Sequence, residues 1–537
     1  MYATRKPNAP LAAWAVLLAL GVGALASVLW VLPYRSFDLD RFFAPKELAL
    51  HAAALAAGVA ALAGTRGFTL RRADYALIAW LGLSLVSAVF ATNHWLAYRA
   101  LTVSVSSAAI FWSARAVSST GIAPALARIL ALVVVVGALT ALAQAYGIKM
   151  EFAALNRAPG GTFGNRNFMA HLTAAGVPLF LFCIASARGR AGAAFWTIAL
   201  AACAAALVLS RTRAAWLALA VGCVTLGVVA VSGPQFLESA AVRRRMLKAT
   251  AAVAAGVVLA LALPNSLDWR SDSPYLDSVK GVVDFRDGSG RGRVAQYLNS
   301  VKMSLAHPVL GVGPGNWPVI YPKFAPANDP SLSDATGMAS NPWPSSDWVA
   351  ALSERGIAAF LAMAAFVALL LGGALKVRYD GARAPDERLA ALAGGGIVLI
   401  AAIEGGFDAV LLLPTPSIVV WAAAGALLSA GTAHNESARF TARRLALAGV
   451  FTAFTYLSCA FAGRRMQAMR LYEIGTSAAI EAAVVKDPGS YRIRMRAADY
   501  YLSNGQCAKA RAHALVARDL FPRSPGPRHV LTQCPGR

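Results

Sequence analysis

Thirteen long apolar stretches constrain the fold of this chain more than any other feature of its sequence. They lie near residues 11–33, 46–64, 74–91, 98–116, 121–146, 168–187, 193–210, 214–232, 249–264, 346–375, 388–411, 414–431 and 443–462. A helix that crosses a bilayer needs about 20 mostly apolar residues, and most of these stretches approach that length. The sequence therefore predicts an all-α, polytopic membrane protein with about 12–13 transmembrane helices.

The composition agrees with this prediction and disfavours several other classes of protein. Of the 537 residues, 58% are hydrophobic and 14% are charged, which disfavours both a soluble domain and a disordered chain. The net charge of +24 is typical of cytoplasmic loops rich in Lys and Arg, and no basic soluble domain indicates a nucleic-acid partner. Because CxxC and HExxH motifs are absent from the sequence, we expect neither a metal nor another cofactor.

Short loops rich in Lys and Arg indicate on which side of the membrane each loop lies. They alternate with less basic loops, at residues 5–6, 66–72, 115, 188–190, 243–248, 376–388 and 439–444. The positive-inside rule makes their side cytoplasmic. The segment 211–213, the longest loop (265–345) and the C-terminal tail then fall on the outer side. We therefore expect a multi-pass protein of the bacterial inner membrane, with its large loop and tail in the periplasm.

The chain divides into three expected parts: N-terminal transmembrane helices (1–150), a membrane core that includes the long loop (151–462), and a tail (463–537). The spacing of small and aromatic residues in the tail is similar to that of tetratricopeptide repeats. The residues that carry this spacing are Tyr491, Ala497, Tyr500, Gly505, Ala508, Ala510, Ala514 and Pro522. One or two such repeats are too few to be stable alone, so the tail should dock on the membrane part. Cys507 and Cys534 form a disulfide in an oxidising compartment, or stay as two thiols.

Two arginines, Arg211 and Arg213, interrupt the apolar residues between 193 and 232. A charge at the centre of a bilayer helix costs about 2.5–3.5 kcal/mol on insertion scales, so each arginine either reaches the interface or binds an anion. Residues two apart on a helix point to different faces. They can share one ligand only in a loop or at a helix end. Because both fall on the outer side, we favour an anion site.

The long outer loop contains further candidate residues. Arg286, Arg291 and Arg293 lie among glycines in DFRDGSGRGRVAQYL, residues 284–298. Guanidinium groups bind phosphate in a bidentate way, and the alternative is a solvated turn before a helix. His307 is either an orienting residue or a histidine at a helix end. The nearby GVGPG lacks the strand and helix of a dinucleotide-binding unit, which argues against that type of site.

Two carboxylates lie where the long loop enters the next apolar stretch. Asp347 and Glu354 are seven residues apart in DWVAALSERG, so on a helix they share one face. Carboxylates at this depth are costly and need a partner or water. Each is therefore a candidate general base or the partner of an outer arginine.

Five stretches of the sequence, taken together, resemble one family of membrane proteins. They read GGTFGNRNFMAHL (160–172), SRTRAAWLAL (210–219), GRGRVAQYLNSVKMSLAHPVLGVGPGNW (290–317), DWVAALSERGIAAF (347–360) and FDAVLLLPTPSIVVWAAAGAL (407–427). In this order they resemble the O-antigen ligase and O-antigen polymerase superfamily of membrane glycosyltransferases, over about residues 150–460. Tails similar to tetratricopeptide repeats also occur in relatives of this family.

The resemblance implies transfer of a glycan from undecaprenyl diphosphate at the outer face, without metal or nucleotide. The acceptor it implies is the lipid A core for a ligase, another lipid-linked repeat for a polymerase, or a protein hydroxyl for some relatives. Arginines that match Arg213 and either Arg291 or Arg293 are implied to hold the diphosphate. With Arg211, these form our candidate diphosphate-binding set.

One position departs from the pattern of the family. The superfamily usually has a histidine at the mouth of the span after the large loop, where this sequence reads Ser345-Ser346-Asp347-Trp348. Serine has no basic site near neutral pH. Asp347 is therefore our leading candidate for the general base, and Glu354 and His307 are further catalytic candidates. Two alternatives stay open: a transporter or flippase for a lipid-linked glycan, and an inactive accessory subunit of an envelope polysaccharide system.

Overall fold

The computed structural model describes residues 10–64, 70–150, 152–153, 157–232, 240–269, 271–281, 288–333, 338–428 and 442–535. Within these ranges the regular elements are helices, and the α-helices number twenty. They are α1 (Leu11–Leu29), α2 (Asp40–Gly64), α3 (Arg72–Val89), α4 (His94–Ala116), α5 (Ala123–Ala145), α6 (Arg166–Ala185), α7 (Arg190–Ser210), α8 (Arg213–Ser232), α9 (Ala240–Ala262), α10 (Pro274–Lys280), α11 (Gly288–Ala306), α12 (Trp317–Ile320), α13 (Asp347–Tyr379), α14 (Pro385–Glu404), α15 (Pro414–Leu427), α16 (Ala442–Ile474), α17 (Ser477–Lys486), α18 (Tyr491–Ser503), α19 (Cys507–Leu520) and α20 (Pro525–Gln533).

Each of the thirteen apolar stretches corresponds to a helix, namely α1–α9 and α13–α16. Among the described residues, ten of these helices are long and apolar enough to cross a membrane. The other three are α4 and α14, which do not meet that criterion, and α15, which has 14 residues. The predicted class, an all-α polytopic membrane protein, is confirmed. The total of 12–13 crossings stays a prediction.

Several helices begin where a polar side chain accepts a hydrogen bond from a backbone N–H group of the first turn. Asn93 caps α4 by accepting from Trp95 and Leu96, and Asn165 caps α6 by accepting from Asn167. Ser346 caps α13 by accepting from Val349 at 3.3 Å. Such caps satisfy donors that have no partner inside the helix. The caps at Asn165 and Ser346 therefore fix the residues at which α6 and α13 begin.

The centre of the bundle is formed by α6 and α15, which are almost entirely buried. Small residues allow other helices to approach them closely. A side chain at Gly425 of α15 would overlap the backbone of Phe111 in α4, and one at Gly23 of α1 would overlap Ala53 in α2. Close backbone approach through small residues is typical of membrane helix packing. The glycine and alanine content of the apolar stretches is thus used in the core.

The loops form two groups, one at each end of the bundle. One group, which we call the loop end, contains residues 30–39, 90–93, 211–212, 405–413 and the long loop. Within it the Asn93 backbone N–H donates to the Asn316 side chain at 2.7 Å. At the other end Arg378 donates to the Ala230 carbonyl at 2.8 Å. The contacts group the loops as the alternation of basic clusters does, and the side of the membrane that each end faces stays a prediction.

The C-terminal helices α17–α20 pack on the loop end. α16 continues to Ile474, so one helix crosses the expected division between residues 462 and 463. Cys507 and Cys534 form a disulfide within the tail. A disulfide is consistent with an oxidising compartment, which agrees with the expected placement of the tail outside the cytoplasm.

Candidate active site at the loop end

Arg211 and Arg213 lie at a break between two helices. α7 ends at Ser210, α8 begins at Arg213, and Arg211 has a left-handed backbone with φ of 53°. The condition under which the two side chains can serve one site is therefore met. Arg211 Nε donates to Ser278 Oγ at 2.9 Å, and the Arg213 guanidinium donates to the carbonyl of Gly281. Both side chains thus turn toward α10 and the residue that follows it.

Positive charge is concentrated around the indole ring of Trp269. The guanidinium carbon of Arg211 lies 4.5 Å from the ring centre, and that of Arg166 lies 5.1 Å from it. Burial lowers the pKa of Arg211 more than the nearby Tyr275 and Asp277 raise it. Cations brought together in this way favour the arrival of an anion. The sequence analysis did not single out Arg166, although it lies in the quoted stretch 160–172.

Arg293 belongs to a polar chain that connects four separate segments. Its guanidinium lies 4.0 Å from the carboxylate of Asp408, which accepts a hydrogen bond from Asn167 Nδ2 at 3.2 Å. Asn167 Oδ1 in turn accepts from the hydroxyl of Thr212 at 3.4 Å. Thr212 stands between Arg211 and Arg213, so the chain joins α11 to the arginine break. This contact network brings together the predicted motifs at 160–172, 210–219, 290–317 and 407–427.

One turn further along α11, two side chains hold the segment where the family has its histidine. The single hydroxyl proton of Tyr297 is shared between the carbonyls of Ser345, at 2.6 Å, and Gly406, at 2.9 Å. Gln296 Oε1 accepts from the Ser345 backbone N–H at 2.7 Å. Burial raises the pKa of Tyr297 to about 12, so its phenol stays a donor at neutral pH. α11 therefore positions both Arg293 and the entrance to α13.

The carboxylate of Asp347 is fully buried and bonded to the backbone. Its oxygens accept from the N–H groups of Val410, Leu411 and Leu412, at 2.8–3.2 Å, and the residue is 0% exposed. In this arrangement Asp347 fixes the turn between α14 and α15. Its role as a general base stays a prediction.

Glu354 is also buried and holds a second turn of the loop end. Its carboxylate accepts from the backbone N–H of Gly315 at 2.8 Å and of Trp317 at 3.3 Å. The bonded turn is the GVGPGNW segment, in which Gly311, Gly313 and Gly315 all have positive φ. Glu354 thus fixes a backbone shape that only glycines adopt readily.

The remaining candidate residues are more exposed. His307 follows the last residue of α11, where its backbone N–H bonds to Met303 and its ring faces Phe324 at 6.4 Å. Arg291 is exposed near the start of α11, and Arg286 lies outside the described residues. No structural contact joins His307 or Arg291 to the polar chain within the described ranges. Their proposed roles stay predictions.

A cavity of about 1450 Å³ lies at the loop end. It is larger than the roughly 300–1,000 Å³ of ordinary small-molecule pockets. Trp343, Ala350 and Leu412 line it, and the N–H of Leu412 is one of the donors to Asp347. Arg157 lines it as well and is an electrostatic neighbour of Arg166. The cavity therefore adjoins the carboxylate-bonded turn, and one of its lining residues lies near Arg166.

A comparison with known protein families finds a match over part of this site. A family model described as O-antigen ligase matches residues 198–364. This matched segment is similar to O-antigen ligases and supports the resemblance of the chain to that superfamily. The matched segment contains all seven candidate residues, from Arg211 to Glu354, and ends before Asp408. A comparison with curated proteins finds no match.

The similarity of this segment to O-antigen ligases indicates a membrane enzyme of the ligase or glycosyltransferase type. In general terms it implies a lipid-linked glycan donor and a glycan acceptor. Within the described ranges no group of three or more His, Cys, Asp and Glu side chains is arranged to hold a metal ion. The polar groups that the described contacts bring together at the site are arginines, carboxylates, amides and hydroxyls.

The sequence analysis missed the partners of Arg293. Asp408 and Asn167 were part of the quoted stretches but were not selected as site residues. A carboxylate within an apolar segment was the available signal for Asp408, since such a charge needs a partner. Asn167 had no comparable signal, because an amide near a helix start usually serves as a cap.

Proposed function

We propose that this protein transfers a glycan from an undecaprenyl-diphosphate donor to an acceptor hydroxyl at the periplasmic face of the bacterial inner membrane. The observation that carries the proposal is the polar chain from Arg293 through Asp408 and Asn167 to Thr212. It connects the arginines of two family motifs at one end of the bundle. A lipid A core, a lipid-linked glycan and a protein hydroxyl are the acceptor classes.

In this proposal the arginines stabilise the leaving group. The oxygen of the acceptor hydroxyl bonds to the anomeric carbon as the bond from that carbon to the diphosphate oxygen breaks. Arg211, Arg213 and Arg293 bind the diphosphate as it gains negative charge. Arg291, from the same sequence motif as Arg293, takes part in this binding. Charge stabilisation of this kind is usually the largest contribution to catalysis. No metal is needed, because the guanidinium groups supply the positive charge.

The acceptor proton passes to a carboxylate in this proposal. Asp408 is the better placed candidate, since its side chain is 10% exposed and lies beside Arg293, whereas Asp347 is 0% exposed. Asp408 lies within the turn of residues 405–412, and Asp347 is bonded to the same turn. We therefore assign Asp408 as the base and Asp347 as the residue that orients this turn. Separate variants test the two assignments.

The experiment is a transfer assay with purified protein, a lipid-diphosphate-linked glycan and a panel of acceptors. Wild-type protein should release undecaprenyl diphosphate and lengthen or transfer the glycan. Arg213→Ala should abolish release, while Arg188→Ala, an exposed arginine at the other end of the bundle, should keep it. The mobility of the product separates a polymerase from a ligase.

Two results would count against this function. Movement of the intact donor across a vesicle bilayer without release of undecaprenyl diphosphate would indicate a transporter. Donor binding without release, across the whole acceptor panel, would indicate an accessory subunit. Full activity of Arg213→Ala would remove Arg213 from the site.

A further inference from the structure

The C-terminal tail forms one wall of the large cavity. Three residues between α17 and α18 line it, namely Asp487, Gly489 and Ser490. Tyr491 and Arg492 at the start of α18 and Phe521, which follows α19, line it as well. The opposite walls come from the membrane part and its loops, and include Trp95, Lys149 and Trp343. The tail thus supplies residues to the cavity wall in addition to packing on the membrane part.

Close packing fixes this wall in position. Gly489 lies directly against the indole of Trp95, where any side chain on residue 489 would overlap the ring. The side chain of Asn93 donates to the carbonyl of Leu520 at 3.3 Å. These contacts hold the turn at 487–490 and the start of α18 against the cavity.

An ionic network, buried at Arg465 and Glu47, joins the tail to the first helices. Arg465 of α16 lies 3.2 Å from Asp40, 2.9 Å from Glu47 and 3.9 Å from Asp487. Arg99 of α4 shares Asp40 and Glu47, at 3.3 Å and 2.9 Å. The three carboxylates on this side of the cavity are therefore already paired with two arginines.

The rest of the cavity wall is cationic. Among the described residues, the lining contains eight Lys and Arg residues and five Asp and Glu residues. Outside the ionic network, the exposed cations include Lys149, Arg157 and Arg492, and the exposed carboxylate is Asp38. Positive charge in a recessed surface attracts an anionic ligand.

Aromatic rings alternate with these charges. Trp95, Trp343, Phe37 and Tyr491 line the cavity, and the guanidinium of Arg492 lies 5.4 Å from the ring centre of Phe37. Rings combined with a few polar groups are typical of ligand pockets. A chain of acidic sugars offers both apolar ring faces and carboxylates, so it fits this lining better than an acyl chain or a neutral glycan does.

We infer that this cavity binds the glycan part of a substrate, that the glycan is acidic, and that Arg492 of the tail and Lys149 of the membrane part recognise its negative charge. The inference rests on the proposed function and deepens it, since it names the class of glycan and gives the tail a part in binding. Lys149 and Arg492 come from different parts of the chain, so each tests the cavity independently.

The test measures saccharide binding without any donor, so its outcome does not depend on transfer. Full-length protein in detergent is titrated calorimetrically with oligogalacturonate and with a malto-oligosaccharide of equal length. Oligogalacturonate should bind, and the neutral saccharide should bind at least about fivefold more weakly, as expected when one partly exposed ion pair is lost. Added salt should weaken the binding of oligogalacturonate and leave the binding of the neutral saccharide unchanged.

Charge reversals identify the site. Arg492→Glu and Lys149→Glu should each weaken oligogalacturonate binding by about fivefold or more, whereas Arg528→Glu, an exposed arginine of α20 outside the cavity, should leave it unchanged. Because Arg492 also bonds to the carbonyl of Ser36, Lys149→Glu provides the variant that leaves the docking of the tail intact. Equal binding of the two saccharides, unchanged binding by Lys149→Glu, or no binding of either saccharide would overturn the inference.

Discussion

Arg293 and Asp408 form an ion pair with 4.0 Å between guanidinium and carboxylate, although one lies on α11 in the long loop and the other in the turn after α14. The pair is partly exposed, with side-chain exposures of 23% and 10%. An arginine held in this way faces the site with less loss of side-chain freedom when a ligand binds. The pair therefore fits a binding role better than a purely stabilising one.

Replacing Arg293 should affect the reaction much more than the fold. Arg293→Ala should slow release of undecaprenyl diphosphate by about 10²-fold or more, by analogy with loss of one charge-stabilising donor. The change in unfolding free energy should be about 1 kcal/mol or less, because partly exposed ion pairs contribute little. Initial rates and thermal unfolding of Arg293→Ala and Arg188→Ala measure both effects. A rate close to wild type, or unfolding of Arg293→Ala alone, would contradict this role.

Asp347→Asn separates a catalytic carboxylate from one that holds a turn. The asparagine amide would place an N–H group against backbone N–H groups of residues 410–412, which now donate to the carboxylate. An unmet buried hydrogen bond costs about 1–3 kcal/mol. We therefore expect a lower unfolding temperature together with slower transfer.

The comparison variant is Asp408→Asn, which can still accept from Asn167. It should slow transfer with a smaller change in unfolding temperature. If Asp347→Asn loses activity at unchanged stability and also loses the acidic limb of the pH–rate profile, Asp347 is the base and our assignment to Asp408 is wrong.

Cysteine labelling tests the placement of the tail. Asn504→Cys lies at an exposed turn between α18 and α19 and should react with a membrane-impermeant maleimide in intact spheroplasts. Arg188→Cys, between α6 and α7, should react only after the membrane is opened. Both variants are made in a background in which Cys223, an exposed cysteine of the protein itself, is replaced by serine. The reverse pattern would show that the bundle has the opposite orientation.

The helices were readable from the sequence because apolar length alone specifies a membrane span. Their ends were harder to predict. α2 begins at Asp40 and not near residue 46, since Arg99 and Arg465 pair with the carboxylates of Asp40 and Glu47. Charged residues at the end of an apolar stretch are predicted to lie in a loop unless their partners are known. Those partners lie in α4 and α16, far along the chain.

The site residues, like the helix ends, were only partly predictable, because their partners lie far along the chain. Arg211, Arg213 and Arg293 were identified because a charge beside apolar residues is costly and stands out. Their partners Asn167 and Ser278 are ordinary polar residues near helix ends, and only the fold shows that they face the arginines. The absence of a histidine at Ser345 was readable, but the bonds that Gln296 and Tyr297 make to that segment were not.

Loss of Arg465 should loosen the tail from the membrane part. Arg465→Ala removes one of the two cations that face Glu47, whose side chain is 3% exposed. Removing one partner of a buried pair costs about 3–5 kcal/mol, and Arg99 should offset part of this because it still contacts Glu47. The tail should then be cut faster by protease near residues 475–490, while α1–α15 stay folded.

Arg470→Ala provides the control, since Arg470 is an exposed residue of the same helix. It should leave both the digestion rate and the unfolding temperature unchanged. If the tail forms a wall of the substrate cavity, Arg465→Ala should also weaken oligogalacturonate binding, although Arg465 is itself neutralised by carboxylates. Faster digestion with unchanged saccharide binding would show that the tail docks on the membrane part without taking part in recognition.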